Sequence, residues 1–148
     1  MQTIEFEVHG VPRPQGSMKM FRARSGHTVA KYSDTTYEWR NMVTVVAAGL
    51  DSTPIDGPVL LRCVFDLPRP KSHYGTGKNA GTIKASSPGR HHAQSPDTDK
   101  LVRAIGDAIT DAGTIWHDDS QVARIDAVKR WCDVDEVPGV AVAVTPLT

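Results

Sequence analysis

The chain has 148 residues, 39% hydrophobic and 23% charged, a makeup that excludes a disordered or fibrous protein and fits one globular domain, since single domains hold roughly 100 to 150 residues. No stretch approaches the roughly 18 consecutive apolar residues of a membrane span, and Met1-Gln2-Thr3-Ile4-Glu5 lacks the layout of a secretory leader, so a cytoplasmic protein is expected. The formal net charge is zero, but the charges are segregated: six basic residues against two acidic over 9–50, seven against two over 68–103, and eight acidic against three basic from 104 onward. The basic stretches suit either a polyanionic partner or plain solvation. Cys63 and Cys132 lie far apart and outside any metal-ligand spacing, which leaves a zinc site or disulfide framework unsupported and predicts two partly buried thiols.

Ile4, Phe6 and Val8 alternate with Glu5, Glu7 and His9, the period-two signature of a half-buried strand that Gly10 and Pro12 terminate. Residues 11–20 carry too much proline and glycine for a regular element, whereas 27–32 can pair as a short hairpin strand. Asp34 is a suitable N-cap for a helix whose inward face is Trp39, Val43, Val46 and Leu50. Pro54 and Gly57 then turn the chain into the apolar run 58–67, which predicts a central strand. From Pro68 to Pro96 nothing is periodic, and Gly, Ser, His, Lys and Pro dominate, so a long basic loop is expected; loops of this length are usually functional or disordered. The strongest helix covers 97–112, with Leu101, Ile105, Ala108, Ile109 and Ala112 on one face, Asp99, Arg103 and Asp107 on the other, and Gly113 as its stop. A turn at 116–120 precedes a strand over 121–131, and 137–145 can form a last one.

Two acidic pairs flank the strong helix: Asp97 and Asp99 at its start, Asp118 and Asp119 after it. A helix of about 15 residues is roughly 22 Å long, so Asp97 and Asp119 meet only if the chain returns or another strand bridges them. Carboxylates with no Cys or His partner suit Mg²⁺ better than Zn²⁺, and such a cation beside lysines and arginines is what phosphodiester cleavage requires. Each carboxylate also has a plainer reading, helix capping for Asp97 and Asp99 and turn chemistry for Asp118 and Asp119.

The ordered run PDTDKLVRAIGDAITDAGTIWHDDSQV over 96–122 resembles the signature of the RusA-like Holliday junction resolvases, the crossover junction endodeoxyribonucleases: PDxDN, a helix with Lys, DALxxAG, then WxDDxQV. The resemblance extends to Lys129 and to the opening Gly10-x-Pro12-x-Pro14-x-Gly16. It implies a Mg²⁺-dependent homodimer that binds four-way DNA junctions and nicks two opposed strands, with Asp97, Asp99 and Asp119 as metal-binding catalytic carboxylates and Asp118 as an auxiliary. This sequence departs from the pattern at two positions: Lys100 stands at the family Asn, and Arg103 at the family Lys. Arg103 keeps a charge near Asp99 that can hold the scissile phosphate, but a guanidinium with a pKa above about 12 does not serve as a general acid.

The expected architecture is therefore a single α+β domain over 1–148, RusA-like, with a mixed β-sheet packed by two main helices and the basic loop 68–96. Lys19, Arg69, Lys71, Lys78, Lys84, Arg90, Lys100 and Lys129 are the expected DNA contacts. Ten residues of strand span roughly 33 Å, which keeps Lys129 away from Asp119 and assigns it to DNA elsewhere or to a partner subunit. The histidines at 73, 91, 92 and 117 are expected at the surface. A non-catalytic branched-DNA-binding protein on the same scaffold, with Lys100 and Arg103 as phosphate contacts, is the rival reading; a flap or fork nuclease is the other.

Overall fold

The computed structural model describes residues 2–16, 19–22, 26, 28–31 and 34–148, the side chains of 19–22, 28–31 and 34 excepted. Strand β4 (Val59–Leu67) organises the fold because it is apolar on both sides of its pleat. Val59, Leu61, Cys63, Phe65 and Leu67 are all buried on one face, which gives β4 a central place in a four-stranded sheet. β6 (Gly139–Pro146) lies antiparallel between β1 (Ile4–His9) and β4, and β5 (Val122–Trp131) pairs parallel with the other side of β4. The strand order is thus β1-β6-β4-β5. β2 (Lys19–Arg22) and β3 (Thr28–Lys31) form a separate antiparallel hairpin.

Helices α1 (Asp34–Ala48) and α2 (Thr98–Ala112) contribute to the same core. α1 supplies Trp39, Val43 and Ala47, and α2 supplies Leu101, Ala104, Ile105, Ala108 and Ile109, all essentially inaccessible. Gly113 closes α2 in the left-handed conformation at φ 72°, its N–H donating to Ile109 O, a geometry that costs a glycine nothing. The expected mixed sheet with two helices is what the chain forms. Two details of α1 differ from expectation: it ends at Ala48, and Val46 is exposed while Ala47 takes the inward position. The cap expected of Asp34 and the strand ends expected at His27 and Tyr32 lie outside the described side chains and residues.

A parallel pair of strands needs a long crossover, and here it is supplied by the 68–96 loop followed by α2. The chain leaves the end of β4, enters α2 beside the end of β5, runs back along the helix, and re-enters the sheet at the start of β5. This path sets the ends of α2 at opposite rims of the sheet.

Candidate active site

The loop 68–96 carries no long element, only the short 3₁₀ turns Lys71–His73 and Gly77–Asn79, yet a buried cation anchors it. Arg69 Nε donates to Cys132 O (2.8 Å), Nη1 to Pro88 O (2.7 Å), and Nη2 reaches Gly89 O (3.4 Å). His73 and His92, expected at the surface, are buried against Trp131, His92 stacked at 3.8 Å between ring centroids and His73 edge-on at 4.9 Å. Burial, then the nearby Lys129 charge, holds the His92 imidazole below its usual pKa, so the stack is built around a neutral ring. His117 is exposed and bonds Asp56 Oδ1 at 2.8 Å.

The loop then crosses the outer edge of β5, with Trp131 N donating to Arg90 O and His92 N to Lys129 O. Lys129 Nζ donates to the carbonyls of Gln94 (2.5 Å) and Pro96 (2.7 Å). Lys129 stands near the end of β5, and its ammonium holds the segment that enters α2. Arg69 is likewise enclosed within the protein. Arg90 ion-pairs with Glu136, Asp133 and Asp66. Lys71, Lys78 and Lys84 are exposed, with no side-chain partner among the described residues; the Lys19 side chain lies outside those described.

Asp97 has the backbone of an N-cap but its side chain makes no capping bond. Its carboxylate instead faces Lys100 Nζ at 3.2 Å, so the family-departing lysine sits directly on a candidate ligand. Asp99 and Arg103 are exposed one helical turn apart and have no hydrogen-bond or ion-pair partner among the described residues. Beside Asp97 and Lys100 opens a cleft of about 720 Å³ between residues 11–14 and the loop, with Arg13, His92, Gln94 and Trp131 also in its lining and neither Asp99 nor Arg103 part of it. Sequence reading missed Gln15, whose N–H donates to Lys100 O and whose buried amide bonds Asp107, tying the proline-rich segment to α2.

At the other end of α2, Asp118 follows the plainer reading. Its carboxylate accepts from Ser120 N at 3.0 Å in a capping box with Gln121, and the bonds from Ser120 hold its pKa below the usual range. Gln121, also missed, saturates its amide: Oε1 accepts from His117 N and Asp118 N, and Nε2 donates to Ile55 O and Gly57 O. This staple fixes the turn that presents Asp119, which is exposed and without a partner among the described residues. The signal was available, because Gln121 lies inside the run that carries the family resemblance.

The structure thus sets Asp97, Asp99, Lys100 and Arg103 at the start of α2, with Lys100 paired to Asp97, and Asp118 and Asp119 beyond its other end, a helix of about 22 Å lying between the two groups. Oxygen-only donors fit a hard divalent cation in kind. They fall short in number within one copy: no group of three or more potential ligands gathers among the described residues. Asp99 and Asp119 are exposed and without partners among the described residues, while Asp97 is paired with Lys100. The family model for the endodeoxyribonuclease RusA matches residues 9–145, and the chain belongs to that family. No curated protein matches the chain. Among the described residues no helix is long and apolar enough to cross a membrane.

Proposed function

We infer that this protein is a Mg²⁺-dependent structure-selective endodeoxyribonuclease that resolves four-way DNA junctions by paired symmetric nicks, acting as a homodimer in the cytoplasm. The observation that carries the reading is the state of Asp99 and Asp119, two exposed carboxylates kept free of partners among the described residues, at sites that neighbouring groups have been spent to fix. Free acids beside a DNA surface repel phosphate unless a cation joins them.

Asp97 and Asp99 from one copy and Asp119 from a second complete the ligand set that one copy lacks, with Asp118 as support for its neighbour. A cation bound there supplies Lewis acidity to the phosphate and acidifies a water. Arg103 holds the scissile phosphate as a fixed charge, and water attacks phosphorus in line with the leaving oxygen. Because Arg103 retains its proton, the leaving oxygen takes one from solvent. A four-way junction is two-fold symmetric, and a two-fold dimer offers two such sites to opposed strands.

The test is cleavage of a labelled four-way junction and a matched linear duplex, with Mg²⁺ or EDTA, by wild type and Asp99→Asn. Paired nicks in the junction alone, dependent on Mg²⁺ and lost in the variant with binding retained, are expected. The Lys100–Asp97 pair favours the rival reading of a non-catalytic junction binder, which tight binding without cleavage in any divalent metal would establish. Single nicks confined to flaps or forks would assign the third.

A further inference from the structure

Helix α1 carries more apolar surface than the core uses. Over 42–48 every residue but Thr44 is apolar, yet only Val43 and Ala47 are buried there, and Met42, Val45 and Val46 stay exposed at 43%, 71% and 36%. With Asn41 these three form one wall of a groove of about 680 Å³ whose other wall is Glu7, Val8 and His9 of β1. β1 is an edge strand of the sheet. Gly10 N donates to Pro138 O, one step beyond the paired Val8–Val140 and His9–Gly139, so the even-numbered residues of β1 turn their backbone groups to β6, and Glu5, Glu7 and His9 turn theirs outward. No bond reaches those outward groups among the described residues. An apolar wall beside an open strand edge is the arrangement by which a sheet takes up an added strand.

We propose that this groove docks an extended segment of another protein, in which apolar residues alternate with lysines or arginines, added as a further strand beside β1. Side chains alternate across a sheet, and β1 shows the two faces directly: Phe6 and Val8 are buried, whereas Glu5, Glu7 and His9 are exposed. Whichever way the segment runs, its residues abreast of Phe6 and Val8 fall on the helix side, toward Met42, Val45 and Val46, and those abreast of Glu5 and Glu7 fall on the open side. Glu7 meets only His9, at 4.0 Å, and Glu5 has no ion-pair partner among the described residues, so both carboxylates are available to cations abreast of them. The same carboxylates select the occupant. Two copies of β1 laid antiparallel about residues 5–7 would oppose carboxylate to carboxylate, and DNA would meet the same repulsion. The groove shares no lining residue with the cleft beside Asp97, so a docked segment leaves that cleft open.

The experiment titrates the full chain with three labelled, blocked hexapeptides: lysine alternating with valine, glutamate alternating with valine, and three lysines followed by three valines. In fluorescence anisotropy the first should bind at least about fivefold more tightly than either of the others. It should also shift the amide NMR signals of Glu5, Glu7, His9 and Val45. Val45→Glu, at an exposed position, should weaken that binding at least about tenfold. Glu5→Lys combined with Glu7→Lys should reverse the preference toward the glutamate peptide, a change of sign that damage to the fold does not produce. Equal affinity for the three peptides, amide shifts confined to other residues, an unreversed preference in the charge variant, or no binding at all would overturn the proposal. So would an assembly of the wild type that Val45→Glu takes apart, because the occupant would then be a second copy.

Discussion

Separation of Asp99 from Asp119 by the length of α2 makes complementation between two inactive variants the sharpest test of the site. A Mg²⁺ ion accepts oxygen ligands at about 2.0–2.1 Å, so carboxylates sharing one ion lie within a few ångströms, whereas in one copy these two flank a helix of about 22 Å. Asp99→Asn and Asp119→Asn should each lower cleavage by about a hundredfold or more, since even groups that merely orient metal ligands are worth about 10–100-fold. Mixed in equal amounts with free exchange of subunits, about half of all dimers carry one of each variant, and every mixed dimer holds one intact site and one doubly damaged site. The mixture should then regain about a quarter of the wild-type sites, seen as single nicks rather than resolved junctions on a denaturing gel. If both ligands belonged to the same copy, every site in the mixture would be broken. A mixture no more active than its components, with exchange verified by mass spectrometry of differently tagged copies, would exclude a site shared between copies.

Lys100→Asn removes the cation that competes at Asp97, and because exposed ion pairs are worth about 0.2–1 kcal/mol, the Mg²⁺ concentration for half-maximal cleavage should fall by about 1.4- to fivefold in a metal titration. Gln121→Leu strips four hydrogen bonds from the turn that presents Asp119; urea unfolding should show a loss of about 1–3 kcal/mol, and junction cleavage should fall while junction binding holds. His92 is held below its usual pKa, so the unfolded chain takes up its proton first: its contribution to stability is intact above the unfolded value of about 6.5 and declines as pH falls through it toward the folded value. Urea midpoints at pH 7.5 and 5.5 should therefore differ less for His92→Phe than for wild type, and equal differences would exclude the imidazole as the source. Burial pushes the Cys63 thiol up to about 12 and raises Cys132 as well, so native protein should leave both unreactive toward a thiol reagent that modifies them in urea.

The strands and helices were legible because their periodicity reports burial directly: β4 shows its inward residues in the sequence, and α2 its apolar stripe. Val46 misled because Val46 and Ala47 are apolar neighbours on α1, and the buried row Trp39, Val43, Ala47 steps by four residues, which turns Val46 off it. The acidic residues were legible as a set, and the helix length already separated them. What the sequence could not express was the use of side chains by distant backbone. Arg69, Lys129 and Gln121 bond carbonyls that lie far away along the chain, and no local pattern distinguishes a lysine that grips two carbonyls from one that reaches solvent. His73 and His92 belong to the same group, since their burial depends on Trp131 arriving from another strand.

The internal engagement of Arg69, Arg90 and Lys129 also bears on how the protein responds to ionic strength. Affinity for DNA falls with salt according to how many cations displace counterions from phosphate, about 0.9 in the logarithmic slope for each contact. The charges that stabilise the loop do not take part in that exchange, and Lys100 is engaged with Asp97. Among the expected contacts with described side chains, the slope then rests on Lys71, Lys78 and Lys84. A chain that looks strongly basic over 68–103 should therefore hold DNA with the modest salt sensitivity of a few lysines, under conditions where a fully exposed basic loop of the same composition would lose its affinity far more steeply as salt rises.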